Sequence, residues 1–213
     1  MSEDIMQLLK DAFEEIGVKS LPIDEIESVC KVIAEEEHIG LLTTDKEFSI
    51  RSKLQLPIKV ILKSNLGLEG LLVLVGHLDN RRWDYILANL VADDPTNVRK
   101  TIRILQKGVS AKTAYPLMFV CCQLRDRYRE EFVKEYINSL NESWDGSGLI
   151  LSLSLFDSND TELVAPLTEY LNKFEQASGP QAVREQKDRV TRSLKNTLKK
   201  ITKKTKKWWE FWK

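Results

Sequence analysis

The sequence predicts an all-α protein, built as a multi-helix bundle or a short HEAT-like stack of helical hairpins and closed by a C-terminal amphipathic helix. Three observations lead there. Apolar residues recur at steps of three and four through most of the 213 positions. Glycine and proline together occupy only fifteen positions, mostly at the ends of those periodic segments. The third is the last thirty residues, where a basic, tryptophan-rich segment keeps helical spacing to the end.

The first stripe is Ile5, Leu8, Leu9, Ala12, Phe13 and Ile16, stopped by Gly17. Pro22 opens a second helix with Glu25 in its first turn and the stripe Ile26, Val29, Cys30, Ile33. The stretch 39–52 reads as a loop, a hairpin or the strand pair of a winged-helix-like unit within residues 1–52. A further helix is expected to start near Pro57, since proline suits a first turn. Leu68, Leu71, Leu72, Val75 and Leu78 mark a core helix whose Gly67, Gly70 and Gly76 let a neighbour come close.

Trp83 to Val91 is the next helix, followed by one that Thr96 or Asn97 caps and that runs through Val98, Ile102 and Leu105 to Gly108. One long helix is expected from Pro116 through Phe119, Leu124, Tyr128, Phe132 and Tyr136 to Leu140. Asp145 to Gly148 reads as a loop. The Leu–Ser alternation over 149–156 suits a strand, yet a lone strand would need a partner, so a helix is preferred. Thr161 to Ala177 is the last body helix, broken at Ser178, Gly179 and Pro180. The domain reading is an acidic body over 1–178, a hinge over 179–189 and a basic helix over 190–213.

Net charge is zero, but it is unevenly divided. Residues 184–213 carry twelve Lys or Arg against three carboxylates, +9, so the remainder carries −9. Val190, Leu194, Leu198, Ile201, Thr205, Trp208 and Trp212 follow one another at steps of four or three, which aligns them on one helix face. Lysines flank them, and long lysine stems let an ammonium stay hydrated beside an apolar surface. Basic side chains near an anionic surface contribute on the order of 1 kcal/mol each, and indoles favour the headgroup region. The expected membrane-contact residues are Lys195, Lys199, Lys200, Ile201, Lys203, Lys204, Lys206, Lys207, Trp208, Trp209, Phe211 and Trp212.

These residues predict a non-enzymatic adaptor or scaffold, cytoplasmic and peripheral on an anionic lipid surface, with a protein partner on its acidic body. Other readings compete, among them an enzyme or toxin-like effector whose site uses scattered residues, and a tail that is only a disordered solubilising end. The helix could dock on the body, on a protein partner or on a second copy of itself, its charge answering the body's −9. It could serve as a calmodulin-type target helix. It could bind nucleic acid, although indoles bunched at one end make a poor stacking platform. No feature sets an oligomeric state.

Motifs for chemistry are sparse. His38 and His77 have no HExxH or paired-cysteine spacing beside them, and no phosphate loop, dinucleotide fingerprint or GxSxG elbow occurs. No catalytic residue, metal or cofactor is expected. Cys30, Cys121 and Cys122 are read as reduced packing residues. Arg125 to Glu131 alternates in sign and is read as a solvated helix face. The acidic N-terminus lacks the basic start and apolar run of a secretory signal, and no apolar run approaches the length of a membrane span.

Overall fold

The structure is a computed structural model, and it describes residues 23–36, 43–63, 67–78, 80–176 and 181–202. Among these residues there are ten α-helices and no strand. In chain order they are α1 (Ile23–Glu35), α2 (Thr44–Lys63), α3 (Gly67–Leu78), α4 (Arg81–Val91), α5 (Asn97–Lys107), α6 (Ala114–Arg127), α7 (Arg129–Ser139), α8 (Gly146–Leu153), α9 (Val164–Gln176) and α10 (Gln181–Thr202). A single 3-10 turn, Thr161–Leu163, precedes α9. The expected stripe at Ile5 to Ile16 lies outside the described residues.

The chain forms two compact units. Of the described residues, the first holds those up to Thr101 together with Ser110–Arg127, and the second holds Ile102–Val109 together with those from Tyr128 to Thr202. The boundary corrects one expectation. The single helix from Pro116 to Leu140 is two helices, because Tyr128 leaves helical geometry at φ −132° and ψ 49°. Sequence periodicity continues across that break, so the stripe alone does not show it.

In the first unit α1 packs on α2, and α4 packs on α2, α3 and α6. Its core holds Ile50, Leu54, Ile61, Leu72, Ile86 and Leu117, all at most 2% exposed. Helix α2 overturns the strand-pair and loop readings over 44–52, and with them the winged-helix expectation there. It starts at Thr44 rather than near Pro57, with Asp45 and Glu47 in its first turn where carboxylates oppose the helix dipole. Pro57 lies inside it and gives no N–H to the carbonyl one turn back. The buried face Ile50, Leu54, Ile58, Ile61 outweighs that loss. In α3, a side chain at Gly76 would overlap the Lys112 carbonyl, so the close neighbour there is the turn before α6 and not the helix that the glycine spacing suggested.

In the second unit the centre is aromatic. Tyr136 is fully buried, with Phe156 at 4.7 Å and Trp144 edge-on at 5.3 Å between ring centroids. Its hydroxyl meets Ser152 Oγ at 3.0 Å, and Ser152 in turn donates to the Leu149 carbonyl at 2.7 Å. This is how Ser152 of the Leu–Ser alternation enters a helix core without an orphaned hydroxyl, while Ser154 is exposed at the end of α8. The stretch read as a loop at 145–148 is instead the start of α8. Asp145 is its N-cap, accepting from the Ser147 amide at 2.8 Å, and Gly148 lies against the Leu105 carbonyl where no Cβ fits. Gly108, ending α5, has φ 107°, a conformation glycine adopts at little cost.

Candidate membrane-contact site

Helix α10 belongs to the second unit and packs on α8 and α9. It begins at Gln181, so most of the stretch expected as a hinge over 179–189 is helix. Over the described residues, Val190 to Ile201, the apolar face predicted from spacing is real and is turned inward. Val190 is 1% exposed, Leu194 0% and Ile201 2%, while Leu198 is half-buried. Thr197 fills the gap in the stripe and donates its hydroxyl to the Leu153 carbonyl at 3.3 Å. Ile201 is therefore a core residue in this packing, which corrects its place among the lipid-contact residues.

Electrostatics favour the same docking. Residues 130–176 hold ten carboxylates against Lys134 and Lys173, a net charge of −8, whereas residues 1–129 sum to −1. The acid that balances the basic tail is thus concentrated in the segment just before it. Lys195 pairs with Glu175 at 2.7 Å, and Lys187 donates to the Glu175 carbonyl at 2.8 Å. Both Lys195 and Glu175 are exposed, so their pair contributes at most about 1 kcal/mol. Burial of three aliphatic side chains, at roughly 1.5–3 kcal/mol each, dominates. Glu175 was not singled out from sequence; its i,i+4 context gives no sign that its partner lies twenty residues on.

Arg189 and Arg192 are exposed. Lys199 and Lys200 are exposed in the last turn of α10, where positive charge suits the helix dipole. Lys203, Lys204, Lys206, Lys207, Trp208, Trp209, Phe211 and Trp212 lie outside the described residues. Of the twelve expected contact residues, the structure therefore places four: three lysines at the surface and one isoleucine in the core.

Elsewhere the charged stretch Arg125 to Glu131 is more than a solvated face. In the first unit Arg127 donates to Asp93 and to Asn89, each at 2.8 Å. In the second, Arg129 donates to the fully buried Asp160 at 2.9 Å and to the Asn159 carbonyl at 2.7 Å, and it pairs with Glu162 at 2.7 Å. These arginines stitch distant parts of the chain together. Cys30 and Cys121 are buried as expected, but Cys122 is exposed. Burial pushes the Cys30 thiol up to about 12 and raises Cys121 as well, while partial desolvation and the nearby Asp126 charge raise Cys122 although its residue is exposed, so all three favour the unreactive thiol at neutral pH. Among the described residues no group of three His, Cys, Asp or Glu is placed to hold a metal ion. His38 lies outside the described residues, and His77 falls within α3. No described helix is long and apolar enough to cross a membrane. No protein family, curated protein or solved structure matches this chain.

Proposed function

We propose that this protein is a non-enzymatic adaptor that associates peripherally with anionic membranes through its C-terminal end, the folded units carrying the specificity for a protein partner. The observation that carries this reading is the division of labour along the tail. The buried face of α10 anchors the helix, and its exposed Lys199 and Lys200 lead directly into Lys203, Lys204, Lys206 and Lys207 and then four aromatic residues within five positions.

The contact is not the whole helix lying on its side. Moving Val190, Leu194 and Ile201 from the core to lipid exchanges one apolar environment for another, while uncovering the faces of α8 and α9 that they cover. That exchange offers no net gain. Attraction instead rests on the outward lysines and on the indoles beyond them, and both terms are individually small. Their sum sets affinity and makes it salt-dependent.

Vesicle co-sedimentation tests this reading. The full chain is expected to pellet with vesicles containing phosphatidylserine, to stay in solution with pure phosphatidylcholine, and to release as salt rises. Replacing Trp208, Trp209 and Trp212 together with alanine leaves the charge unchanged and is expected to weaken binding at least tenfold, about 1.4 kcal/mol. Equal pelleting with both vesicle types, or none with either, would overturn it.

A further inference from the structure

A second feature, independent of the tail, lies wholly in the first unit. Between the C-terminal half of α2 and the turn joining α4 to α5 there is a cavity of about 270 Å³. That is the liquid volume of about nine waters, enough for a fragment-sized ligand and too small for a dinucleotide. Ile58, Leu62, Leu90 and Pro95 give it apolar walls, and Lys59, Lys63 and Lys100 stand around it with Asp93 and Asp94.

Most of these charges are already committed. Asp93 takes Arg127 at 2.8 Å and Arg51 at 3.4 Å. Asp94 accepts from the Thr96 amide at 2.9 Å, and that hydrogen bond, with Lys100 and Lys59 nearby, holds its carboxyl below the usual value. Lys100 donates to the Leu62 carbonyl at 2.7 Å, capping the last turn of α2. Lys59 and Lys63 are held less tightly, Lys59 acting on Asp94 only at a distance. They are exposed, one helical turn apart, and neither forms an ion pair among the described residues. Like charges at this spacing repel mildly, and an anion held between them would relieve that repulsion.

We propose that this cavity binds a small organic anion, with an apolar body against Ile58, Leu62, Leu90 and Pro95 and its anionic head between Lys59 and Lys63. The apolar walls and the ammonium pair each contribute, so neither a bare anion nor a neutral apolar fragment satisfies the site. The arrangement was not legible from sequence, because Lys100 and Pro95 come to Leu62 from more than thirty positions away.

Amide NMR titration of the full chain tests the site with four probes: phenyl phosphate, inorganic phosphate, phenol and hexylamine. Phenyl phosphate is expected to give saturable shifts at the Leu62, Leu90 and Thr96 amides. Inorganic phosphate and phenol are expected to bind at least about tenfold more weakly, and hexylamine to leave those amides unmoved. Lys59→Gln combined with Lys63→Gln should weaken phenyl phosphate about tenfold without altering the rest of the spectrum, since both side chains are at the surface. No saturable shift up to about 10 mM, undiminished binding in the double variant, or equal binding of hexylamine would each overturn the proposal.

Discussion

Residues 181–202 and residues 203–213 are both strongly basic, +5 and +4, and they differ in how their apolar residues are spaced. In the first stretch Val190, Leu194, Leu198 and Ile201 follow at steps of four, four and three; in the second Trp208, Trp209, Phe211 and Trp212 crowd into five positions. Regular spacing lets one protein wall cover every member, and the structure provides that wall in α8 and α9. Trp208 and Trp212 continue the spacing of the stripe, but Trp209 and Phe211 between them diverge from it in direction, so one wall does not take all four crowded aromatics. On the proposed reading, a lipid interface that surrounds the side chains does. The difference teaches that an amphipathic stripe by itself does not mark a membrane-binding face, since the described stripe of α10 is covered by protein.

Breaking the first stretch gives the largest expected effect. Ending the chain at Pro180 removes Val190, Leu194 and Ile201 from the core and should unfold the second unit, whereas ending it at Thr202 should leave the thermal transition within about 0.5 kcal/mol of the full chain. Leu194→Ala, at a fully buried site, should cost about 2–5 kcal/mol by chemical denaturation. A change below about 1 kcal/mol would mean that the stripe is not anchored.

The wall itself can be tested next. Gly148→Ala places a methyl against the Leu105 carbonyl, which is backbone and cannot rotate away, so a loss of about 1–3 kcal/mol is expected in the same denaturation experiment.

A smaller effect probes the start of α8. Asp145→Ala removes the N-cap and should cost about 1 kcal/mol. The Ser147 hydroxyl and amide hold the Asp145 carboxyl below its ordinary value of 3.8. A depressed folded value means that the unfolded chain binds the proton more readily. The contribution of Asp145 is therefore present above the ordinary carboxylate range and is lost as pH falls through the depressed value. Stability of the variant should accordingly decline less than that of the parent between pH 5 and pH 3, roughly the window in which such carboxyls titrate.

The smallest stability effect is expected from Lys195→Ala, within about 0.5 kcal/mol, since its pair with Glu175 is exposed at both ends. A larger loss would move the anchoring of α10 from burial toward charge.

Much of the fold was legible from residue pattern. The stripes of α1, α3, α5 and the described part of α10 predict the buried faces observed, the extent of α4 matches the expected helix, and the choice of helix over strand at 149–156 holds because α8 spans most of it. What pattern alone did not yield has physical causes. Pro57 read as a helix start hid α2, whose signal lay earlier in Thr44, Asp45 and Glu47. Tyr128 breaks a continuous stripe without a Gly or Pro to mark it. At the candidate site the periodicity revealed which residues share a face, but not whether protein or lipid would cover that face. Ile201 shows the consequence, since the same apolar character serves either environment. The −8 charge of residues 130–176 was the available clue to an intramolecular wall.

The most direct measurement is amide hydrogen exchange across α10 for protein free in solution and bound to phosphatidylserine vesicles. Docking that persists on the membrane predicts that the amides from Val190 to Ile201 keep their protection in the bound state, while the protein still pellets with the vesicles. Loss of protection along that stretch on binding would show that the helix leaves α8 and α9 to reach the lipid, and would contradict the account.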